Sequence, residues 1–163
     1  MLKKLIIIVT MFVSLAACKS KSNLALNYNQ DFVAKDNSLQ PEEQTTEDNV
    51  TRYYNAGQYD SIAVAGENME AALQKAIDEI SAIPVPQSKG GESFKAAMIR
   101  YFNFFKSIYT RYKEYGYAGS DEKRTEIITV IQKLISQRPD IMDDMHSEQR
   151  KYADANGFRL EAK

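Results

Sequence analysis

From Phe94 to Tyr115 the large side chains Phe94, Met98, Tyr101, Phe105, Ile108, Tyr112 and Tyr115 recur at steps of four and three. That spacing holds all seven on one face of a helix. Phe102, Phe104 and Tyr109 widen the stripe, so the helix is expected to touch more than one neighbour. Upstream, Ile62, Ala65, Met69, Leu73, Ala76, Ile80 and Ile83, with Ile77 beside them, predict a helix from about Gln58 to Ile83 that Pro84 and Pro86 end. Downstream, Ile127, Ile131, Leu134, Ile141, Met145 and Tyr152 share a face that Arg138 and Glu148 interrupt. Ser120 is the expected N-cap there, with Asp121 and Glu122 in the first turn. Leu24, Tyr28, Phe32, Val33 and Leu39 give a weaker first stripe.

Residues 41–52 carry one apolar side chain, Val50. Gln40-Pro41-Glu42-Glu43 has the form of a new helical start, with acids near the positive end of the dipole. The stretch reads as a loop or a solvated helical extension, and a partly exposed helix kinked at Pro41 is the preferred reading. Pro139 should kink or break the last helix, because its ring meets the carbonyl of Ile135. Gly57 and Gly157 are expected to supply left-handed helix stops, with Phe158 folding back on Tyr152 or Ala153. Gly66 is expected to permit close packing against an aromatic. Tyr54-Asn55-Ala56-Gly57-Gln58-Tyr59 resembles the turn of a tetratricopeptide repeat, but no second copy follows at the 34-residue period. Four amphipathic segments with short connections predict an all-α, up-down-up-down four-helix bundle over residues 24–163, kinked near Pro41 and Pro139.

The first 17 residues have a different character. Lys3 and Lys4 precede an apolar run from Leu5 to Val13, and small residues Ala16 and Ala17 follow. This is the layout of a cleaved signal peptide, with an apolar run too short to span a bilayer. Leu15-Ala16-Ala17-Cys18 resembles the lipobox of bacterial lipoproteins, which implies cleavage between Ala17 and Cys18 and lipidation of Cys18. Two or three acyl chains on one cysteine anchor a protein stably, where a single chain does not. Residues 18–23 then form the lipidated cysteine and a short polar tether without acidic residues. The outer membrane is the expected location, with the periplasmic and outer faces both open.

The lipobox, Tyr28-Asn29, Ile83-Pro84, Phe94-Lys95-Ala96-Ala97, Tyr101-Phe102 with Phe105, and Tyr152-Ala153 leading to Asn156-Gly157-Phe158-Arg159-Leu160 together resemble small helical bacterial surface lipoproteins of the leptospiral surface-protein type. The resemblance covers most of the mature chain. It implies a lipid-anchored helical bundle and brings no catalytic residues with it.

Composition narrows the chemistry. With 163 residues the chain has length for about one core. Removing Lys3 and Lys4 lowers Lys+Arg from 21 to 19 against 22 acids, a net charge of about −3. Scattered positive charge on an acidic chain argues against nucleic acid as a partner. Cys18 is the one cysteine, so no intrachain disulfide can form. His146 is the only histidine. With Asp143 three positions before it, it makes one acid-x-x-His pair where a di-iron bundle needs two and two further glutamates, and Asp140, Asp143 and Asp144 lack calcium-loop spacing. Neither a metal nor another cofactor is expected. No nucleophile elbow or phosphate loop occurs, so no catalytic residue can be named and an envelope hydrolase is the weakest reading.

Ten tyrosines remain to be placed. Tyr101, Tyr109, Tyr112 and Tyr115 are either core side chains with hydroxyls reaching water or the wall of an aromatic ligand groove. The expected function is therefore a non-enzymatic, lipid-anchored module that binds an unidentified envelope or extracellular macromolecule. The alternative is a small-ligand binder using those four tyrosines.

Overall fold

A computed structural model describes residues 2–160, with side chains described for 21–160. All regular structure among these residues is helical: α1 spans Leu2–Asn55, α2 Tyr59–Ala82, α3 Gly91–Tyr117 and α4 Asp121–Asn156. Each helix packs against the next, and α4 closes back on α1. The partners run antiparallel. Lys35 of α1 pairs with Glu79 of α2, Arg100 of α3 with Asp144 of α4 at 2.7 Å, and Asn29 of α1 accepts from Gln149 of α4 at 2.8 Å. The architecture is the up-down-up-down four-helix bundle that the periodicity predicts.

α3 is the most enclosed helix. All seven stripe residues are buried, as are Phe102 and Tyr109, so the widened stripe does serve several neighbours. α2 approaches it at glycines. An added Cβ on Gly66 would lie 2.6 Å from the Lys113 nitrogen and 2.8 Å from the Tyr109 oxygen, and one on Gly116 would collide with Ala63 and the Tyr59 carbonyl. The two backbones therefore touch where the start of α2 crosses the end of α3. Gly66 meets the backbone of α3 there, where the sequence suggested an aromatic ring.

Chain ends follow local chemistry. Ser120 accepts from the Lys123 N–H at 3.3 Å as the N-cap of α4. Gly57 and Gly157 take φ of 67° and 70°, a left-handed conformation glycine adopts without steric cost. Phe158 then turns back to meet Tyr152 edge-on at 5.8 Å. At that end of the bundle Tyr28, Phe32, Phe94 and Tyr152 stack around one another. Asn156 closes the end by accepting from the Lys89 N–H and donating to the Lys89 carbonyl.

Helices α1 and α4 run further than their stripes suggested. α1 continues through Pro41, so Gln40-Pro41 is not a new helical start, and α4 continues through Pro139 without a break. Both prolines are exposed, so the carbonyl each leaves without a helical donor can be hydrated. α1 also begins well before Leu24, at Leu2, because nothing between Leu2 and Pro41 stops a helix. The side chains of Ala17 and Cys18 lie outside the described residues, so the cleavage and lipidation site stands on sequence. Among the described residues no helix is long and apolar enough to cross a membrane.

Candidate functional site

The inward stripe of α1 changes chemistry halfway along. Ala25, Tyr28, Phe32 and Leu39 are buried and apolar or aromatic. The same face, stepping by three and four, then continues with Asp36, Glu43, Thr46, Glu47 and Val50. Thr46 and Val50 are buried and the three carboxylates half-buried. Acids occupy positions where a bundle helix ordinarily offers leucine.

α3 supplies their partners. The Tyr101 hydroxyl donates to Asp36 Oδ1 at 3.0 Å. Glu47 accepts from Tyr109 at Oε1, 3.1 Å, and from Tyr112 at Oε2, 3.0 Å. A buried hydroxyl left unpaired costs roughly 1–3 kcal/mol, and a charged acceptor strengthens the bond that replaces water. These bonds therefore tie α1 to α3 across the bundle. Burial, then the neighbouring carboxylates, push all three phenols above their ordinary range, so they stay protonated and donate.

Glu43 sits between Asp36 and Glu47 on the stripe and makes no hydrogen bond among the described residues. Its carboxyl is raised to about 7, first by burial and next by Asp36, with Glu47 adding to the rise and Arg138 opposing it. Arg138 enters from α4 with its guanidinium 4.9 Å from the centre of the Phe105 ring. The interruption visible in the α4 stripe is thus the cation facing the α1 acids. Chemically this layer sets half-buried carboxylates of α1 against fixed hydroxyl donors of α3.

Of the tyrosines singled out by sequence, Tyr101, Tyr109 and Tyr112 belong to this layer. Tyr115 does not. It packs against Tyr54 at 6.1 Å and Tyr59 at 5.8 Å, and burial followed by those two phenols raises its hydroxyl. Tyr112 and Tyr115 do meet along a cleft of about 340 Å³ that enters between α1 and α4 and also touches Tyr54, Ile128 and Ile131. Sequence reasoning missed Asp36, Glu43 and Glu47. The available signal was their three-and-four spacing from Phe32 and Val50.

No described group of three or more histidine, cysteine or acidic side chains is arranged to hold a metal ion. Asp144 is paired with Arg100, while Asp140 and Asp143 are exposed. His146 is half-buried and makes no hydrogen bond among the described residues. In comparisons with known proteins, no family model, no curated sequence and no solved structure matches the chain.

Proposed function

We propose that this protein is a lipid-anchored, non-enzymatic helical module of the bacterial envelope, held in the outer membrane by acylated Cys18, whose bundle binds another envelope or extracellular macromolecule. The observation that carries the reading is the order Lys3-Lys4, apolar run, Leu15-Ala16-Ala17-Cys18 at the start of the chain. The course of α1 supports it: the helix that contains Cys18 runs without a break to Asn55, so the anchor and the bundle share one rod. Cell fractionation tests the proposal. The wild-type protein should pellet with membranes, and Cys18→Ser should stay unprocessed or move to the soluble fraction. A Cys18→Ser protein that is processed and pellets as the wild type does would overturn it.

The seam cleft beside Tyr112 and Tyr115 favours a second reading, a small apolar ligand held between α1 and α4. Under that reading Ile131→Trp, which fills the cleft from α4, abolishes binding of an apolar dye that the wild type binds. Equal dye binding by both proteins would count against it.

A further inference from the structure

One end of the bundle lies close to Cys18. Ala25 is the first buried residue of α1 among those whose side chains are described, and Cys18 precedes it on the same unbroken helix. At about 1.5 Å per residue the two lie roughly 10 Å apart. The headgroup layer of one leaflet is roughly 5–8 Å thick, and acyl chains on Cys18 would start at its inner edge. The sequence alone reads residues 18–23 as a polar tether. As helix, they hold the end of the bundle at the outer edge of the headgroups and do not let it swing free.

The α2–α3 connection and the end of α4 share this end with α1. Tyr28 of α1, Phe94 of α3 and Tyr152 of α4 meet there. Ser88 shares a hydrogen bond with the Tyr152 hydroxyl at 3.0 Å, and Asn156 holds the backbone of Lys89 from both sides. The turn is thus pinned to the helices and forms a fixed surface. Its exposed charges are Lys21, Lys89 and Arg159 against Glu92 and Asp154, and Lys19 adds a cation next to Cys18. Positive charge is in excess here on a chain whose net charge without Lys3 and Lys4 is about −3. Among the described residues Lys21, Lys89 and Arg159 make no ion pair. Lys95, by contrast, is committed to the carbonyls of Ser81 and Ile83 at 2.6 and 2.7 Å. Exposed Leu24 and partly exposed Val85, Pro86 and Leu160 supply apolar surface at the same end.

Unpaired cations beside apolar side chains complement a headgroup layer, where phosphates meet lysine and arginine and apolar groups reach toward the acyl boundary. We infer that this end of the bundle is a docking surface for the phosphate-bearing headgroups of the lipid layer that holds Cys18, so that the bundle stands on the membrane with α1 as its upright. This rests on the proposed acylation of Cys18 and adds to it a contact surface and an orientation. The opposite end, with the α1–α2 and α3–α4 turns, then projects away from the lipid. Tyr54 and Tyr117 are exposed there, and at about 1.5 Å per residue Tyr54 lies roughly 54 Å along α1 from Cys18.

The test uses the mature acylated protein in vesicles of phosphatidylethanolamine and phosphatidylglycerol that include a lipid spin-labelled on its headgroup. Acylation occupies the Cys18 sulfur, so a thiol-reactive fluorophore reports only an introduced cysteine. Gln87→Cys puts the fluorophore on the α2–α3 connection and Gln58→Cys puts it at the opposite end. Headgroup quenching should be strong at position 87 and absent at position 58. Each basic side chain at an anionic surface shifts such a contact about fivefold, so Lys89→Glu with Arg159→Glu should lower quenching at position 87 by about half or more. All four replaced side chains are exposed, so the fold should be kept. Three results would overturn the inference: equal quenching at both positions, as for a bundle lying flat; no quenching at either, as for one held off the surface; or unchanged quenching in the charge-reversed protein. Intact mass of the same preparation separates the two readings. With acyl mass present, any of those results faults the docking surface alone, whereas a chain without acyl mass faults the anchor and the inference with it.

Discussion

Replacing Glu43 with glutamine perturbs one group in the acid–tyrosine layer while keeping its shape. In the folded protein the Glu43 carboxyl is raised from 4.5 to about 7, so the folded state binds its proton more tightly than the unfolded chain does. The stability this contributes is fully present below about pH 4.5 and is lost as pH rises through about 7. A shift of this size corresponds to about 3 kcal/mol at 1.36 kcal/mol per unit. Partial solvent exposure and the opposing Arg138 charge reduce the expected value to about 1–3 kcal/mol. Glutamine carries no charge at any of these pH values. Glu43→Gln should therefore match the wild type near pH 4.5 and exceed it by about 1–3 kcal/mol at pH 8, which raises Tm by roughly 2–12 °C in a chain of this length. Urea denaturation of both proteins across this range reads the difference directly, and carboxylates remote from Glu43 cancel in the comparison. A pH-independent difference, or a variant less stable than the wild type at pH 8, would refute the burial of a strained carboxyl at this position.

Two further changes test neighbouring parts of the bundle. Glu47→Ala leaves the buried Tyr109 and Tyr112 hydroxyls without an acceptor and should cost about 2–5 kcal/mol, with Glu47→Gln costing less; equal stability by urea denaturation would show that those bonds do not tie α1 to α3. Gly66→Ala places a methyl against the backbone of Lys113 and Tyr109 and should cost about 1–3 kcal/mol by thermal unfolding, whereas Gly119→Ala, with nothing within 4 Å of the added carbon, should be nearly neutral.

The architecture was readable because its signals are local. The α3 stripe, the Ser120 cap and the stops at Gly57 and Gly157 depend on residues within a turn or two of one another, and each appears where the spacing puts it. The acid–tyrosine layer depends on partners far apart in sequence. Glu47 reads as a solvated helix residue until Tyr109 and Tyr112, more than sixty positions later, are brought against it. Residues 41–52 are the partly exposed helix their composition suggested, and what polarity hid is that Glu43, Thr46 and Glu47 keep the inward period of Phe32 and Leu39. Arg138 was visible as a break in the α4 stripe, but its meaning required the acids on α1. Pro41 and Pro139 leave their helices unbroken because each lies on an outward face, where water replaces the bond the ring removes.

Anchorage at Cys18 connects the bundle to its setting, and the intact mass of the mature protein extracted from its own membrane tests it most directly. The account predicts a chain that begins at Cys18 and carries the added mass of two or three acyl chains. A chain that begins elsewhere, or one that begins at Cys18 without acyl mass, would contradict it.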